Sequence, residues 1–139
     1  MTLSTVSPGP APEPTAISAP YWAAAAEGRL LLQNCTACGR LQHYPRPHCT
    51  ACLGIDLEWV TASGDATVYS YTIVRRAASK AFEGQVPYVL AIIELAEGPH
   101  MTGNVTGVDP EAVRVGMPVR VAFVPSGEGM LIPEWTPAQ

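Results

Sequence analysis

The stretch that decides the fold runs from Cys35 to Gly54 and reads CTACGRLQHYPRPHCTACLG. It holds all four cysteines of the chain in two C-x2-C pairs, with ten residues between the pairs. A C-x2-C turn places two thiolates at the spacing of one edge of a metal tetrahedron, and the glycine that follows each pair lets backbone amides approach the sulfurs. The pattern therefore predicts one four-sulfur metal site, with ligands Cys35, Cys38, Cys49 and Cys52.

Sulfur ligands alone do not separate zinc from iron, since rubredoxin binds iron with the same turns. No second redox centre or flavin motif accompanies these cysteines, so Zn²⁺ is favoured and an iron electron carrier is the alternative. Disulfides are disfavoured because nothing in the sequence marks an oxidising compartment. A closed shell leaves no open coordination position, so the zinc is predicted to be structural. His43 and His48 are expected to be exposed loop residues.

The amino-terminal side of the cysteine segment divides into an arm and a short helix. Residues 1–19 are rich in Pro, Ala, Ser and Thr and are predicted to be disordered. Residues 20–28 form the predicted helix, which Gly28 ends. About two helical turns are not stable alone in water, so the aromatic pair Tyr21 and Trp22 must dock on something. Both residues are candidates for a partner interface.

The remaining chain is assigned to a zinc ribbon, residues 29–60, and a barrel, residues 61–139. The barrel region is a series of β runs separated by turn residues. Five strands are predicted, at Ala66–Arg75, Tyr88–Leu95, His100–Thr106, Pro118–Val124 and Met130–Glu134. In the first of them, Tyr69 and Tyr71 alternate with Val68 and Ser70, as expected if one face packs inside. Five strands after a small metal lobe predict a Greek-key barrel of the OB type and a mainly β fold class.

Composition narrows the function further. The 139 residues carry a net charge of −4, which argues against a general nucleic-acid binder. Only 14% of the residues are charged, which indicates that part of the surface is apolar and available to a partner. No catalytic motif is found, and a metal that takes all four cysteines leaves no thiol nucleophile. No signal peptide or membrane span is predicted, so the expected compartment is the cytoplasm.

One loop could bind an anion. Three of the eight basic residues, Arg75, Arg76 and Lys80, lie within six positions of one another, and Phe82 follows them. Phosphates are a natural target for such a group, although a solvated loop explains it equally well. A fourth cation, Arg46, lies between two prolines on a stiff loop. It either pairs with a nearby carboxylate or contacts a partner.

Taken together, these motifs resemble the acyl-CoA-associated zinc-ribbon/OB-fold family, which was formerly a domain of unknown function. The resemblance covers residues 20 to about 135, nearly all of the chain expected to be ordered. The residues that carry it are Tyr21-Trp22, Glu27-Gly28-Arg29-Leu30, Cys35-x2-Cys38-Gly39, Tyr44-Pro45-Arg46-Pro47, Cys49-x2-Cys52, Gly64, Val68-Tyr69-Ser70-Tyr71-Thr72, Pro87-Tyr88 and Gly116-Met117-Pro118-Val119.

The resemblance implies a non-catalytic accessory subunit of a thiolase-like acyl-CoA enzyme. Partners in such a family are thiolases, sterol-carrier-type thiolases or aldolases of steroid side-chain breakdown, and hot-dog-fold hydratases. The small subunit would bridge the hetero-oligomer and help to hold the CoA thioester, while the partner supplies the catalytic residues. By position, the loop at residues 75–82 is the candidate to face the acyl-CoA. A single-stranded nucleic-acid-binding protein and an iron electron carrier are the alternatives.

Overall fold

The computed structural model describes residues 12–80 and 83–138. Its elements are one α-helix and eight β-strands: α1 Ala19–Ala25, β1 Leu31–Cys35, β2 Leu41–Gln42, β3 Leu57–Thr61, β4 Asp65–Val74, β5 Tyr88–Leu95, β6 His100–Val105, β7 Pro118–Pro125 and β8 Leu131–Pro137. Single 3-10 turns at Pro110–Ala112 and Gly127–Gly129 precede and follow β7. The predicted mainly β class is confirmed. None of the helices in these ranges is long and apolar enough to cross a membrane.

The predicted helix is present, and it docks on its own chain. α1 buries Tyr21, Ala24 and Ala25 and packs against β1 and β8. Gly28 follows it with φ of +80°, a left-handed conformation that suits glycine and turns the chain toward β1. Of the predicted arm at residues 1–19, residues 1–11 lie outside the described residues. Before the helix, the Thr15 N–H donates to the Ser18 hydroxyl oxygen at 2.8 Å and forms a turn.

The cysteine segment belongs to a three-stranded antiparallel sheet in the order β2-β1-β3. β1 is central, and its last residue, Cys35, pairs with Leu57 of β3. The sheet continues toward the barrel, where the Ala62 N–H donates to the Leu30 carbonyl at 2.8 Å. Residues 62–64 then connect β3 to β4, the first barrel strand.

The last five strands close a barrel in the order β4-β5-β6-β8-β7. All neighbours are antiparallel except β6 and β8, which form one parallel pair at Val105 and Trp135. This order is that of a five-stranded OB barrel, so the predicted architecture is confirmed. The predicted strand ends are close to the observed ones, apart from β8, which extends to Pro137 rather than ending at Glu134.

The alternation predicted for the first barrel strand is wrong beyond Val68. A β-bulge shifts the pairing of β4 with β5 between Val68 and Ser70. Tyr69 is left outside the ladder, 53% exposed, and its ring packs on His100 with centroids 4.5 Å apart. Because a bulge adds one unpaired residue, it breaks the two-residue period on which the prediction rested.

The barrel interior is apolar and centred on Trp135, which is fully buried together with Ile93. Gly103 on β6 makes room for the indole, since a Cβ at this position would lie 2.8 Å from Cδ1 and Nε1 of Trp135. Outside the barrel, the Tyr44 hydroxyl of the ribbon loop accepts a hydrogen bond from the Thr102 N–H of β6 at 3.0 Å. This contact places the loop between the two cysteine pairs against the barrel wall.

Candidate metal centre

The four cysteine sulfurs meet at one point. All four Sγ atoms lie within 4.8 Å of one another. Two of the separations, Cys35 to Cys52 and Cys38 to Cys49, are each 3.6 Å. A tetrahedron with Zn–S bonds of about 2.3 Å has edges of about 3.8 Å, so the sulfurs are already at ligand spacing. Cys35 and Cys49 are fully buried, whereas the second cysteine of each pair is exposed.

The two cysteine turns repeat the same backbone pattern. In the first turn, the Cys35 carbonyl accepts from the Gly39 N–H at 2.7 Å. In the second, the Cys49 carbonyl accepts from the Leu53 N–H at 2.9 Å. The residue after each pair has positive φ, +79° at Gly39 and +66° at Leu53. Glycine therefore takes this left-handed position in the first turn, and leucine takes it in the second.

Gly54, one residue later, has a different part in the second turn. Its N–H bonds the Cys52 sulfur, and a Cβ on Gly54 would lie 3.3 Å from that atom. An amide approaching a thiolate stabilises its negative charge. Gly54 thus brings an amide to the Cys52 sulfur, as expected of this glycine from the sequence. Leu53 takes the left-handed backbone position instead.

The electrostatics of the four sulfurs favour a cation between them. Hydrogen bonds from the Cys52 and Ala51 N–H groups lower the pKa of Cys49 to about 6. The Gly54 N–H lowers the pKa of Cys52, but the other three thiols outweigh it and raise that pKa to about 12. Crowding thus opposes full ionisation of the cluster, and a coordinated divalent metal reverses this because it deprotonates its thiol ligands. Spacing, donor type and charge all fit Zn²⁺.

A buried polar network that no sequence motif indicates supports the second cysteine turn. Gln33 and Gln42 are each 5% exposed, and Gln42 Nε2 donates to Gln33 Oε1 at 2.9 Å. Gln33 binds both backbone groups of Arg46, at 2.8 and 3.0 Å. Gln42 donates to the His48 carbonyl and accepts from the Thr50 N–H. The two amides therefore fix the loop on either side of Cys49.

The histidines of this loop differ in their surroundings. His48 is exposed as predicted, but His43 is not. Its ring packs between Tyr21, at a centroid distance of 5.5 Å, and Tyr44, at 4.2 Å. Burial lowers the pKa of His43 to about 4. The imidazole is therefore neutral near pH 7 and serves as a packing group between the helix and the ribbon loop.

The candidate interface residues lie in unlike environments. Tyr21 is 5% exposed and belongs to the chain's own core, and burial raises the pKa of its hydroxyl. Trp22 is half-buried and packs edge-on against Tyr21, with centroids 4.9 Å apart. Arg46 is exposed, and its backbone is held by Gln33. Trp22 and Arg46 thus offer surface to a partner, whereas Tyr21 offers little.

The basic loop is only partly open to an anion. Arg75 is exposed and forms an ion pair with Glu111 of the 3-10 turn. Arg76 and Lys80 are exposed, and Phe82 lies outside the described residues. The structure therefore brings Arg75 to a carboxylate of its own chain.

Comparison with known proteins agrees with the two lobes. Residues 22–58 match the family described as "ChsH2, rubredoxin-like zinc ribbon domain", and residues 59–124 match "ChsH2, C-terminal OB-fold domain". Among solved structures, a chain of the Ltp2-ChsH2(DUF35) aldolase superposes with a TM-score of 0.83. It is 35% identical, and the match covers 93% of this chain and 100% of that one. The chain belongs to the DUF35 family.

Curated relatives within this family carry two kinds of name. A probable enoyl-CoA hydratase alpha subunit of Thermomonospora curvata is 36% identical over 118 residues, or 85% of this chain. A DUF35 domain-containing scaffold protein of Methanocaldococcus jannaschii is 41% identical over 91 residues, or 65% of this chain. The chain spans 36% of the length of the hydratase subunit and 64% of the length of the scaffold protein.

Proposed function

We propose that this chain is a non-catalytic accessory subunit of a thiolase-like acyl-CoA enzyme. The observation that carries the proposal is the match along the full length of a chain of the Ltp2-ChsH2(DUF35) aldolase, whose name joins a DUF35 protein to Ltp2. The scaffold naming of the Methanocaldococcus relative supports it. So does the chemistry of this chain, because its four cysteines converge on one point and none is left as a separate nucleophile.

Within this function, Cys35, Cys38, Cys49 and Cys52 would hold one structural Zn²⁺. A zinc ion with four thiolate ligands supplies folding stability and has no open position for a substrate. Metal analysis of the purified chain tests the assignment, with one zinc per chain and no visible absorbance expected. A coloured protein that contains iron would overturn it in favour of an electron carrier.

The partner is proposed to be a thiolase-like protein, either a thiolase or a sterol-carrier-type aldolase acting on a steroid or other acyl-CoA. Co-expression of the chain with a thiolase-like protein, followed by size-exclusion chromatography, tests this. We expect a hetero-oligomer that turns over acyl-CoA, and no turnover by the chain alone. A monomer that turns over a thioester unaided would refute the proposal. Assembly with a hot-dog-fold hydratase instead would replace the thiolase-like partner.

A contribution to CoA binding is proposed for the basic loop. Arg76 and Lys80 are exposed, and so is Arg75, which forms an ion pair with Glu111. Phosphate groups of CoA are suitable ligands for such cations. The double variant Arg75→Ala and Arg76→Ala should weaken acyl-CoA binding by the complex. Arg120→Ala, which removes an exposed arginine paired with Asp65 on the barrel, is the matched control. Unchanged affinity in the double variant would remove the loop from the site.

A further inference from the structure

Leu53 has a left-handed backbone conformation, which favours glycine. Within residues 12–80 and 83–138 it is the only non-glycine residue with positive φ, at +66°. The equivalent residue of the first cysteine turn is Gly39, which makes the same N–H contact to the preceding cysteine carbonyl. The turn needs that N–H, which every residue except proline supplies. A leucine side chain therefore adds conformational strain and nothing that the turn requires.

The side chain of Leu53 contributes little packing to the folded chain. It is 74% exposed, and Ile55, two residues later, is 72% exposed. These are the most exposed of the large apolar residues in the described part of the chain. Both follow Cys52, the exposed cysteine of the second turn, within three residues. Backbone strain that packing contacts do not offset is typical of a functional position.

Acidic residues stand close to the two apolar residues in the sequence. Asp56 and Glu58 follow Ile55 in the chain, and both are exposed. The Glu58 carboxylate accepts a hydrogen bond from Asn34 Nδ2 at 3.1 Å, which holds its charge on the ribbon sheet between β1 and β3. We call Leu53 and Ile55 the apolar knob, and Asp56 and Glu58, which follow it in the chain, its acidic border. The complementary surface is an apolar recess with basic side chains at its rim.

We infer that Leu53 and Ile55 insert into an apolar, basic-rimmed recess of the partner acyl-CoA enzyme. The inference rests on the proposed function, since it names the contact through which the accessory subunit is held. A second copy of this chain fits less well. In a two-fold pair the knob of one copy would face the same acidic border on the other, and like charges repel.

Two substitutions separate the contact from the fold. Leu53→Gly removes the side chain and the strain, so the chain alone should unfold at a higher denaturant concentration than wild type. Leu53→Asn also removes the apolar side chain, and asparagine tolerates positive φ. Both variants should keep one zinc per chain. In the complex, each should raise the Kd for the purified thiolase-like partner at least about tenfold, as expected of a central apolar contact.

The control is Val115→Asn, which replaces another exposed apolar residue, 68% accessible, in the turn before β7. It should leave the Kd unchanged. Equal Kd values for wild type, Leu53→Gly and Leu53→Asn would overturn the inference while leaving the proposed function intact. No binding by the wild-type chain would instead overturn the proposed function. Loss of a homodimer in Leu53→Asn, measured by sedimentation, would assign the knob to a second copy and also refute the inference.

Discussion

The zinc ribbon and the OB barrel are stabilised by different means. The ribbon sheet has three strands, one of them only two residues long, and its buried side chains include two glutamines and two cysteines. The barrel closes on itself, and its interior is apolar around Trp135. Because the ribbon has little apolar area to bury, directed interactions with a metal and with backbone groups must hold it in place. The barrel depends instead on packing.

This difference predicts that loss of the metal affects one lobe. Cys49→Ser removes a buried ligand, and the sulfur cluster then lacks a closed shell. Structural zinc contributes on the order of 10 kcal/mol to the folding of such a site, so the ribbon should unfold. The barrel should stay folded. Hydrogen exchange is the measurement, with loss of protection expected in β1 and retained protection in β5.

Ala37→Ser provides the control, because Ala37 is an exposed residue within the first cysteine turn. It should bind one zinc and exchange like wild type. If Cys49→Ser unfolded both lobes together, the ribbon and the barrel would form a single cooperative unit, and the distinction drawn between them would be wrong.

The opposite perturbation is a cavity in the barrel. Ile93→Ala empties a position that is fully buried on β5, which should cost about 2–5 kcal/mol in the free energy of unfolding. Ile92→Ala changes the next residue of the strand, which is 41% exposed and points outward, and should cost well under half as much. Urea denaturation measures both. Neither variant should lose zinc; loss of zinc from Ile93→Ala would show that the barrel supports the metal site.

The ribbon was the more predictable lobe at its ligands and the less predictable one elsewhere. Metal ligation imposes a fixed spacing on the ligand residues, so two C-x2-C pairs predict a sulfur cluster from sequence alone. No comparable sequence pattern identifies Gln33 and Gln42 as buried residues of a polar network. A glutamine is buried here only because folding brings Arg46, His48 and Thr50 around it, and no local pattern encodes those contacts.

The barrel was predictable in its strands and topology, because apolar runs and turn residues mark both. It was not predictable at Tyr69, where a bulge interrupts the alternation. Leu53 is a similar case, since the left-handed position of a cysteine turn is ordinarily inferred from glycine. In each instance the tertiary structure overrides a local preference, and the residue concerned is exposed.

The glutamine network gives a third test of the contrast. Gln42→Leu keeps the volume of the side chain but leaves the Thr50 N–H, the His48 carbonyl and Gln33 Oε1 short of partners. Unpaired buried groups should lower the free energy of unfolding by about 1–3 kcal/mol. Zinc should also dissociate faster, measured with a chromogenic chelator, because the network flanks Cys49. Gln85→Leu, in the loop before β5, should change neither quantity. Normal zinc retention in Gln42→Leu would separate the network from the metal site.

The contact between α1 and the ribbon loop should respond to pH through His43. Its pKa is about 4 in the folded chain against 6.5 for an unperturbed histidine, because burial disfavours the charged ring. Between these values the unfolded chain binds a proton that the folded chain does not, so stability falls as the pH decreases from 6.5 toward 4. The loss should reach about 1–2 kcal/mol at pH 5.

Thiolate protonation also destabilises the ribbon in acid, so the quantity to measure is the difference between wild type and His43→Phe. Phenylalanine keeps a ring between Tyr21 and Tyr44 but carries no titrating group. Urea denaturation at pH 7 and pH 5 with zinc supplied should show wild type losing more stability than the variant. Equal losses would mean that the ring is already hydrated in the folded chain and that α1 does not shield the ribbon loop from water at this point.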